Sequence, residues 1–325
     1  MAEQSSPDHE ELPEWVKRLR HGGPIPLSDS SSRQGAAAEC SWACLPGKLF
    51  HVRGADYERS KMKVAGGACL LQPLAVDFFQ GPCKIASVME RPDCRVRAAL
   101  ADIAAAEAGG VPPFVWVFNY QLSTSANHSL VLYFVSSEPP PEGSMLQKFL
   151  DGDDAFRKAR LKTLVRMPEA PRVVQALVGA RWPACVVGNF LKCSYTRTEK
   201  YLEVDVDLGS SPLIGAAVHC TFGLARLVVV DLAFVLEGIY SDELPEEILG
   251  AFRLHKLDPS SALYIDDRCT SSSTSLPSSA ASNVPPLPSV CVTSAADKPA
   301  SQCLGGTGLK GGLLRLLGKK GQGGR

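Results

Sequence analysis

YLEVDVDL, residues 201–208, alternates strictly between two kinds of side chain. Leu202, Val204, Val206 and Leu208 share one parity, and Tyr201, Glu203, Asp205 and Asp207 share the other. A β-strand would put three carboxylates on one face and four apolar side chains on the opposite face. The run 114–122 alternates too, with Phe114, Trp116, Phe118 and Tyr120 on one side and Val115, Val117, Asn119 and Gln121 on the other. Together with 130–135, across the loop 123–129, it predicts a hairpin. Residues 227–236 are apolar on both parities apart from Asp231. That pattern predicts a central strand covered on both faces. Further short strands are predicted at 49–53, 160–166, 253–257 and 70–79, with Pro73 marking an edge or a bulge.

Helical signals fall between these runs. Residues 13–22 begin with Pro and end with Gly, and Trp15, Val16 and Leu19 form their apolar side. In 93–108, Asp93 is placed to cap, Val96, Leu100 and Ile103 line one side, and Gly109-Gly110 ends the pattern. A short helix is predicted at 172–178. Another starts at Ser211-Pro212 and ends at Gly223, and a last helical turn is predicted at 245–250. Strands adjacent in sequence with helices interspersed indicate an α+β fold, a largely antiparallel curved sheet packed with several helices. The expected organisation is a mostly disordered segment 1–39 carrying the short helix, a folded domain 40–257, and a tail 258–325. The tail is Ser/Pro-rich over 270–302, a composition that cannot bury enough surface to fold.

A hydrophobic content of 45% in 325 residues is enough for a sizeable core. A net charge of +0 argues against a wholly basic nucleic-acid binder. The balance is local. Residues 304–325 hold Lys310, Arg315, Lys319, Lys320 and Arg325 and no acid. On a helical wheel Leu309, Leu313, Leu316 and Leu317 gather opposite Arg315 and Lys319. Lys310, Leu313, Leu314, Arg315, Leu317, Lys319 and Lys320 are therefore candidate membrane contacts, at about 1 kcal/mol per base near an anionic surface. Glycines between them each cost about 1 kcal/mol of helix stability, so a disordered basic end remains open. No run approaches the roughly 20 apolar residues that a bilayer requires. The acidic N-terminus is neither a signal nor a transit peptide. The 11 cysteines are odd in number and lack paired metal-binding spacing, so free thiols in a reducing compartment are expected and no metal. These features predict a cytoplasmic protein with peripheral membrane contact.

Glu203, Asp205 and Asp207 could hold a divalent cation or act as acid and base. They could equally be solvated or paired with bases on a neighbouring strand, for which Arg160, Lys162 and Arg166 have matching alternation. Asp207 could also organise the turn at 209–212. Asp231 would be a buried carboxylate, either the partner of an Arg or helix N-terminus or part of a site. The aromatic row is core or the wall of an apolar cavity, with Asn119 and Gln121 as polar handles. His51, His128, His219 and His255 are isolated, and His219 reads as a core histidine. There is no G-x-S-x-G, no cysteine in a catalytic context, and the Gly-rich stretch 305–312 lacks the Lys-Ser/Thr of a phosphate loop. No enzyme activity and no cofactor are expected.

Several ordered blocks resemble a known family: SW at 41–42, KLFHVRGADY at 48–57, KMK at 61–63, FLDGDDAFR at 149–157, LK at 161–162, YLEVDVDLGSS at 201–211, VDLAFVLEG at 230–238 and ELPEEILG at 243–250. Together they are similar to the C-terminal domain of the plant enhanced disease resistance 2 family, over about 40–257. In the family's namesake this domain follows a pleckstrin-homology and a START domain. The resemblance therefore implies a setting of phosphoinositide and lipid recognition and of restrained cell death. This chain has room for neither lipid module, and Asn119-Tyr-Gln121 is not followed by the proline the family tends to show. The expectation is a non-enzymatic, lipid- or membrane-associated regulatory module. Arg53, Lys61, Lys63 and Arg157 are its headgroup candidates, with Trp116, Asn119, Gln121, Glu203, Asp205, Asp207 and Asp231 as further ligand contacts. Its partner would be an anionic lipid or membrane surface, or a protein, with no nucleic acid. The alternatives are a protein-interaction domain with a filled core and an acid-dependent hydrolase using the three acids, which no His or nucleophile joins. An apolar cavity favours the first reading, a packed interior the second, and a divalent ion between the acids the third.

Overall fold

The computed structural model describes residues 12–28, 40–106, 113–136, 138–178 and 185–266. The chain opens with α1 (Glu14–His21), β1 (Ser41–Cys44), β2 (His51–Arg53), α2 (Tyr57–Ser60), β3 (Lys63–Ala65) and β4 (Gln72–Gln80). Next come α3 (Arg95–Ala106), β5 (Phe114–Leu122), β6 (His128–Ser136), α4 (Met145–Asp151), α5 (Asp154–Arg160), β7 (Leu161–Glu169) and α6 (Arg172–Val178). The remainder is β8 (Cys185–Val186), α7 (Val187–Phe190), β9 (Lys192–Arg197), β10 (Tyr201–Asp207), α8 (Pro212–Phe222), β11 (Val229–Leu236), β12 (Ile248–His255) and β13 (Leu263–Tyr264).

The fold is α+β and its sheets are mostly antiparallel, with the strands divided between two main sheets and a β2–β3 hairpin. One sheet runs β1-β12-β11-β7-β8, antiparallel throughout. The other runs β13-β4-β6-β5-β10-β9 and is parallel only at β13/β4 and β10/β5. Period-2 alternation explains how the sheets meet. Trp116, Phe118 and Tyr120 of β5 share one buried cluster with Leu202, Val204 and Val206 of β10 and with Phe234 and Phe252 of the facing sheet. The Phe118 and Phe234 rings stack at 4.1 Å, and those of Phe134 and Phe252 lie 4.6 Å apart. The predicted aromatic row is thus mainly core.

The opposite face of the six-stranded sheet is covered by α1 and α3. Val16 and Leu19, then Val96, Ala99 and Leu100, pack on Val115, Val117, Val131 and Tyr133. The short N-terminal helix is therefore docked on the fold. Strand β4, like β5 and β6, contributes to both clusters by alternation, and the register shift between Pro73 and Ala75, at the predicted proline bulge, puts the consecutive Leu74 and Ala75 in the same cluster. β11 is central, as its two apolar parities required: Phe234 faces the other sheet, and Ala233 and Val235 pack under Phe50 and Val52.

One predicted element is overturned. Residues 245–250 contain no helical turn. β12 begins at Ile248, and a single 3-10 turn lies earlier, at Ser241–Glu243. Ile248 to Phe252 are all buried, so both faces of this segment are needed for packing, and pairing with β11 outweighs local helix propensity. Among the described residues no helix is long and apolar enough to cross a membrane. Seven described cysteines are free thiols, whereas Cys83 departs from the expectation and is disulfide-bonded.

Candidate ligand cavity

Aromatic rings fill the middle of the space between the sheets. Toward the start of β11 and the end of β12 the facing side chains are smaller, namely Val165, Val230, Leu232 and Leu254, and the packing does not close. The result is a partly open apolar cavity of about 210 Å³. It exceeds the roughly 150 Å³ of apolar space that holds a benzene. Tyr120 contributes the one aromatic of its row that reaches the cavity, and α8 forms the outer wall with Ile214, Val218, Thr221 and Phe222.

The wall helix follows from local sequence. Pro212 starts it and Gly223 follows its end as predicted, although the Ser211 side chain makes no capping hydrogen bond. PLIGAAVHCTF offers apolar residues on every side. Its inward face lines the cavity, while Leu213, Ala216 and His219 point outward and are exposed. His219 is therefore not a core histidine. Few polar atoms reach the lining. The Tyr120 and Thr163 hydroxyls are 2.8 Å apart and satisfy each other, and burial pushes the Tyr120 phenol well above its usual pKa. Thr221 Oγ1 is buried with no hydrogen-bond partner among the described residues. Such a surface can hold a hydrocarbon segment but offers no charge with which to do chemistry.

The acidic face of β10 lies elsewhere, and it is neither solvated nor paired with β7. β10 sits between β5 and β9, while β7 belongs to the other sheet. Glu203 and Asp205 are 1% and 5% exposed, covered by the turn at 87–90. Glu203 accepts from the backbone N–H groups of Val88 and Met89, at 2.6 and 2.9 Å. Asp205 accepts from Asn119 Nδ2 at 2.7 Å and from the Ser87 N–H at 3.3 Å. Asn119 and Gln121 both donate to the Ile85 carbonyl, so these two tether the same segment. Burial, and then the neighbouring Asp205, push Glu203 up to about 8. Burial also raises Asp205, against the hydrogen bond from Asn119. Asp207 stands apart, ion-paired to Lys84 at 2.6 Å and accepting from the Gly209 N–H. The three acids do not converge. Among the described residues no group of His, Cys, Asp or Glu is placed to hold a metal ion.

Most of the candidate bases are likewise committed. Arg157 is buried and donates to the carbonyls of Phe149 and Leu150, closing the end of α4, and it pairs with Asp154 at 3.0 Å. Arg53 bridges to Glu237 at 2.5 Å and donates to the Gly238 carbonyl, beside the buried Lys162, which pairs with Glu237 and Glu246. Arg160 forks onto Glu243. Asp231 is fully buried and is held by Arg253, directly opposite on β12, at 2.7 and 3.0 Å. The Arg-partner reading of Asp231 is the one observed. Lys61 lies over the Tyr57 ring, and Lys63 is exposed on β3. Trp116 is sealed between the sheets. None of the ligand contacts named from the sequence lines the cavity, and of the aromatic row read as core or cavity wall Tyr120 alone does. Lys310, Leu313, Leu314, Arg315, Leu317, Lys319 and Lys320 lie outside the described residues. The missed signal was α8 itself, a helix apolar all round and thus short of a solvent face.

Comparisons with known proteins identify the family. The family model for the C-terminal region of Protein ENHANCED DISEASE RESISTANCE 2 matches residues 42–258. A curated Arabidopsis thaliana relative, Protein ENHANCED DISEASE RESISTANCE 2-like, is 36% identical over 222 residues, which cover 68% of this chain and 29% of the relative. The chain thus spans under a third of that relative's length. No solved structure matches.

Proposed function

The chain belongs to the enhanced disease resistance 2 C-terminal family, and from that premise we propose that it is a non-enzymatic lipid-binding module whose ligand is a single hydrocarbon chain held between the two sheets. The observation that carries this reading is the apolar cavity of about 210 Å³ beside a core that is otherwise filled with stacked rings. Each methylene transferred from water into it contributes about 0.8 kcal/mol. The relative's name speaks of disease resistance, and a regulatory role in plant defence is the biological setting proposed for this chain. The protein-interaction alternative requires a filled interior and so has less support.

The test is titration of the full chain with cis-parinaric acid, a fluorescent fatty acid, alongside the Val218→Trp variant. Saturable uptake by the wild type and a loss of about tenfold or more in the filled variant, equivalent to about 1.4 kcal/mol, is the expected result. No uptake by the wild type, or equal uptake by both proteins, overturns the reading.

A further inference from the structure

The wall of the cavity has an outer side, and its chemistry differs from the rest of the surface. Phe190, Leu213 and Leu227 are 63%, 64% and 58% exposed. Each immediately precedes a residue that lines the cavity, namely Leu191, Ile214 and Val228. Exposed Val173 stands on α6, which packs on α8. Large apolar side chains in water next to a site are informative, because isolated exposed leucines are ordinary whereas here three such residues each adjoin the cavity lining.

Charge gives the second observation. The segments that carry these residues, 170–178, 185–192 and 208–230, contain Arg172, Lys192 and Arg226 and not one Asp or Glu. The nearest flanking carboxylates are each engaged: Asp207 with Lys84, Asp258 with Arg226, and Glu169 beside Arg253. Arg172 and Lys192 form no ion pair among the described residues; Asp207 lies opposite Lys192 across the β9/β10 pair, but its carboxylate is held by Lys84. The hairpin end of the molecule provides a contrast. There Met62 and Val64 are also exposed, but Asp56 and Glu58 are interspersed with Arg59, Lys61 and Lys63, and the cavity lining does not extend to them.

Extending the cavity reading, on which it rests, we propose that this face, the outer side of α8 with the exposed residues of α6 and α7 and with Leu227, docks on an anionic bilayer surface and so presents the cavity to lipid. Apolar side chains enter the headgroup boundary while Arg172 and Lys192 meet lipid phosphates or carboxylates. The combination selects a bilayer over a second copy of the chain. Two copies would bring like charges together around the apolar residues, whereas an anionic membrane complements both features at once.

Vesicle flotation of the full chain tests the proposal, with vesicles of three parts phosphatidylcholine to one part phosphatidylserine and with phosphatidylcholine alone as comparison. Phe190→Glu with Leu213→Glu, and separately Arg172→Glu with Lys192→Glu, are each expected to lower partitioning onto the anionic vesicles by about tenfold. All four positions are exposed, but Lys192 lies opposite Asp207 on β10, so melting temperatures are measured beside the wild type and a variant that melts lower is replaced by the corresponding serine pair. Arg59→Glu with Met62→Glu, at the other end, is expected to leave partitioning unchanged. Partitioning that the face variants do not alter overturns the proposal. So does partitioning lost only when Lys310, Arg315, Lys319 and Lys320 are reversed, which would assign membrane contact to the tail. A wild type that sediments as a dimer and a Leu213→Glu variant that sediments as a monomer would give the face to self-association instead. Val218→Trp keeps the two readings separate: it should lower parinaric acid uptake by about tenfold or more yet still float, so failure of the cavity leaves the docking result intact and the reverse also holds.

Discussion

At the end of the five-stranded sheet where β11 finishes, Lys162, Glu237, Glu246 and Arg53 meet in a closed cluster, with Lys162 5% and Glu246 0% exposed at their side chains. At the other end of the same strands Val165, Val230 and Leu254 leave apolar space unfilled. The two regions show opposite uses of burial. A buried charge is tolerated only when its partners are all present, so the ionic end is fully specified and has no group to spare. An apolar lining makes no such demand, and a gap there costs only the lost contacts, which a ligand can restore. Strong charges therefore mark the rigid end of this protein, and the inconspicuous aliphatic end is the one suited to binding.

Breaking the ionic end should have the largest effect. Lys162→Ala leaves Glu237 and Glu246 with Arg53 alone, and denaturant unfolding should show a loss of about 3 kcal/mol or more. A loss below about 1 kcal/mol would mean that the cluster is solvated and the contrast false.

The carboxyl pair under the turn at 87–90 gives the next effect. Glu203 titrates near 8 in the folded chain against an ordinary value of 4.5, so between those values the folded state binds more protons than the unfolded one. Stability should therefore fall as pH rises from about 4.5 to about 8 and level off above, with a slope of at most about 1.4 kcal/mol per pH unit from this one proton. Melting curves of Glu203→Gln should lose that component of the slope. An unchanged slope in the variant would assign the pH dependence elsewhere.

Smaller changes are expected at the apolar end. Val218→Trp fills space that is already present, so its unfolding free energy should stay within about 1 kcal/mol of wild type while uptake falls. A larger destabilisation would mean that the cavity is tighter than its volume implies. Leu213→Glu, on the outer side of the same helix, should alter stability by no more than about 0.5 kcal/mol and be detectable only on vesicles.

Much of the fold was legible from pattern. The alternation at 114–122 and 201–207, the two-sided apolar run ending at Leu236, the proline bulge at Pro73 and the Pro-to-Gly frame of α8 all describe local choices that the chain makes at each residue. The site was much less legible. Arg157 and Arg53 looked available because a sequence does not display the carbonyls and carboxylates that a folded chain brings to them. Glu203 and Asp205 looked solvent-facing because the segment that covers them, 83–90, is more than a hundred residues away along the chain. Residues 245–250 looked helical because Pro-Glu-Glu favours a helix start, and only pairing with β11 makes them lead into a strand.

The sequence by itself determined which side chains alternate, where turns and helix ends fall, and which family the chain resembles, since these depend on near neighbours and on the order of blocks. Tertiary structure alone decided that the strands form two facing sheets, that the acidic face is covered, and that Tyr120, Val165, Val218 and Leu254 surround an empty space. The physical reason is that a cavity is defined by what fails to meet across two sheets. No single strand carries a record of the distance to the one opposite.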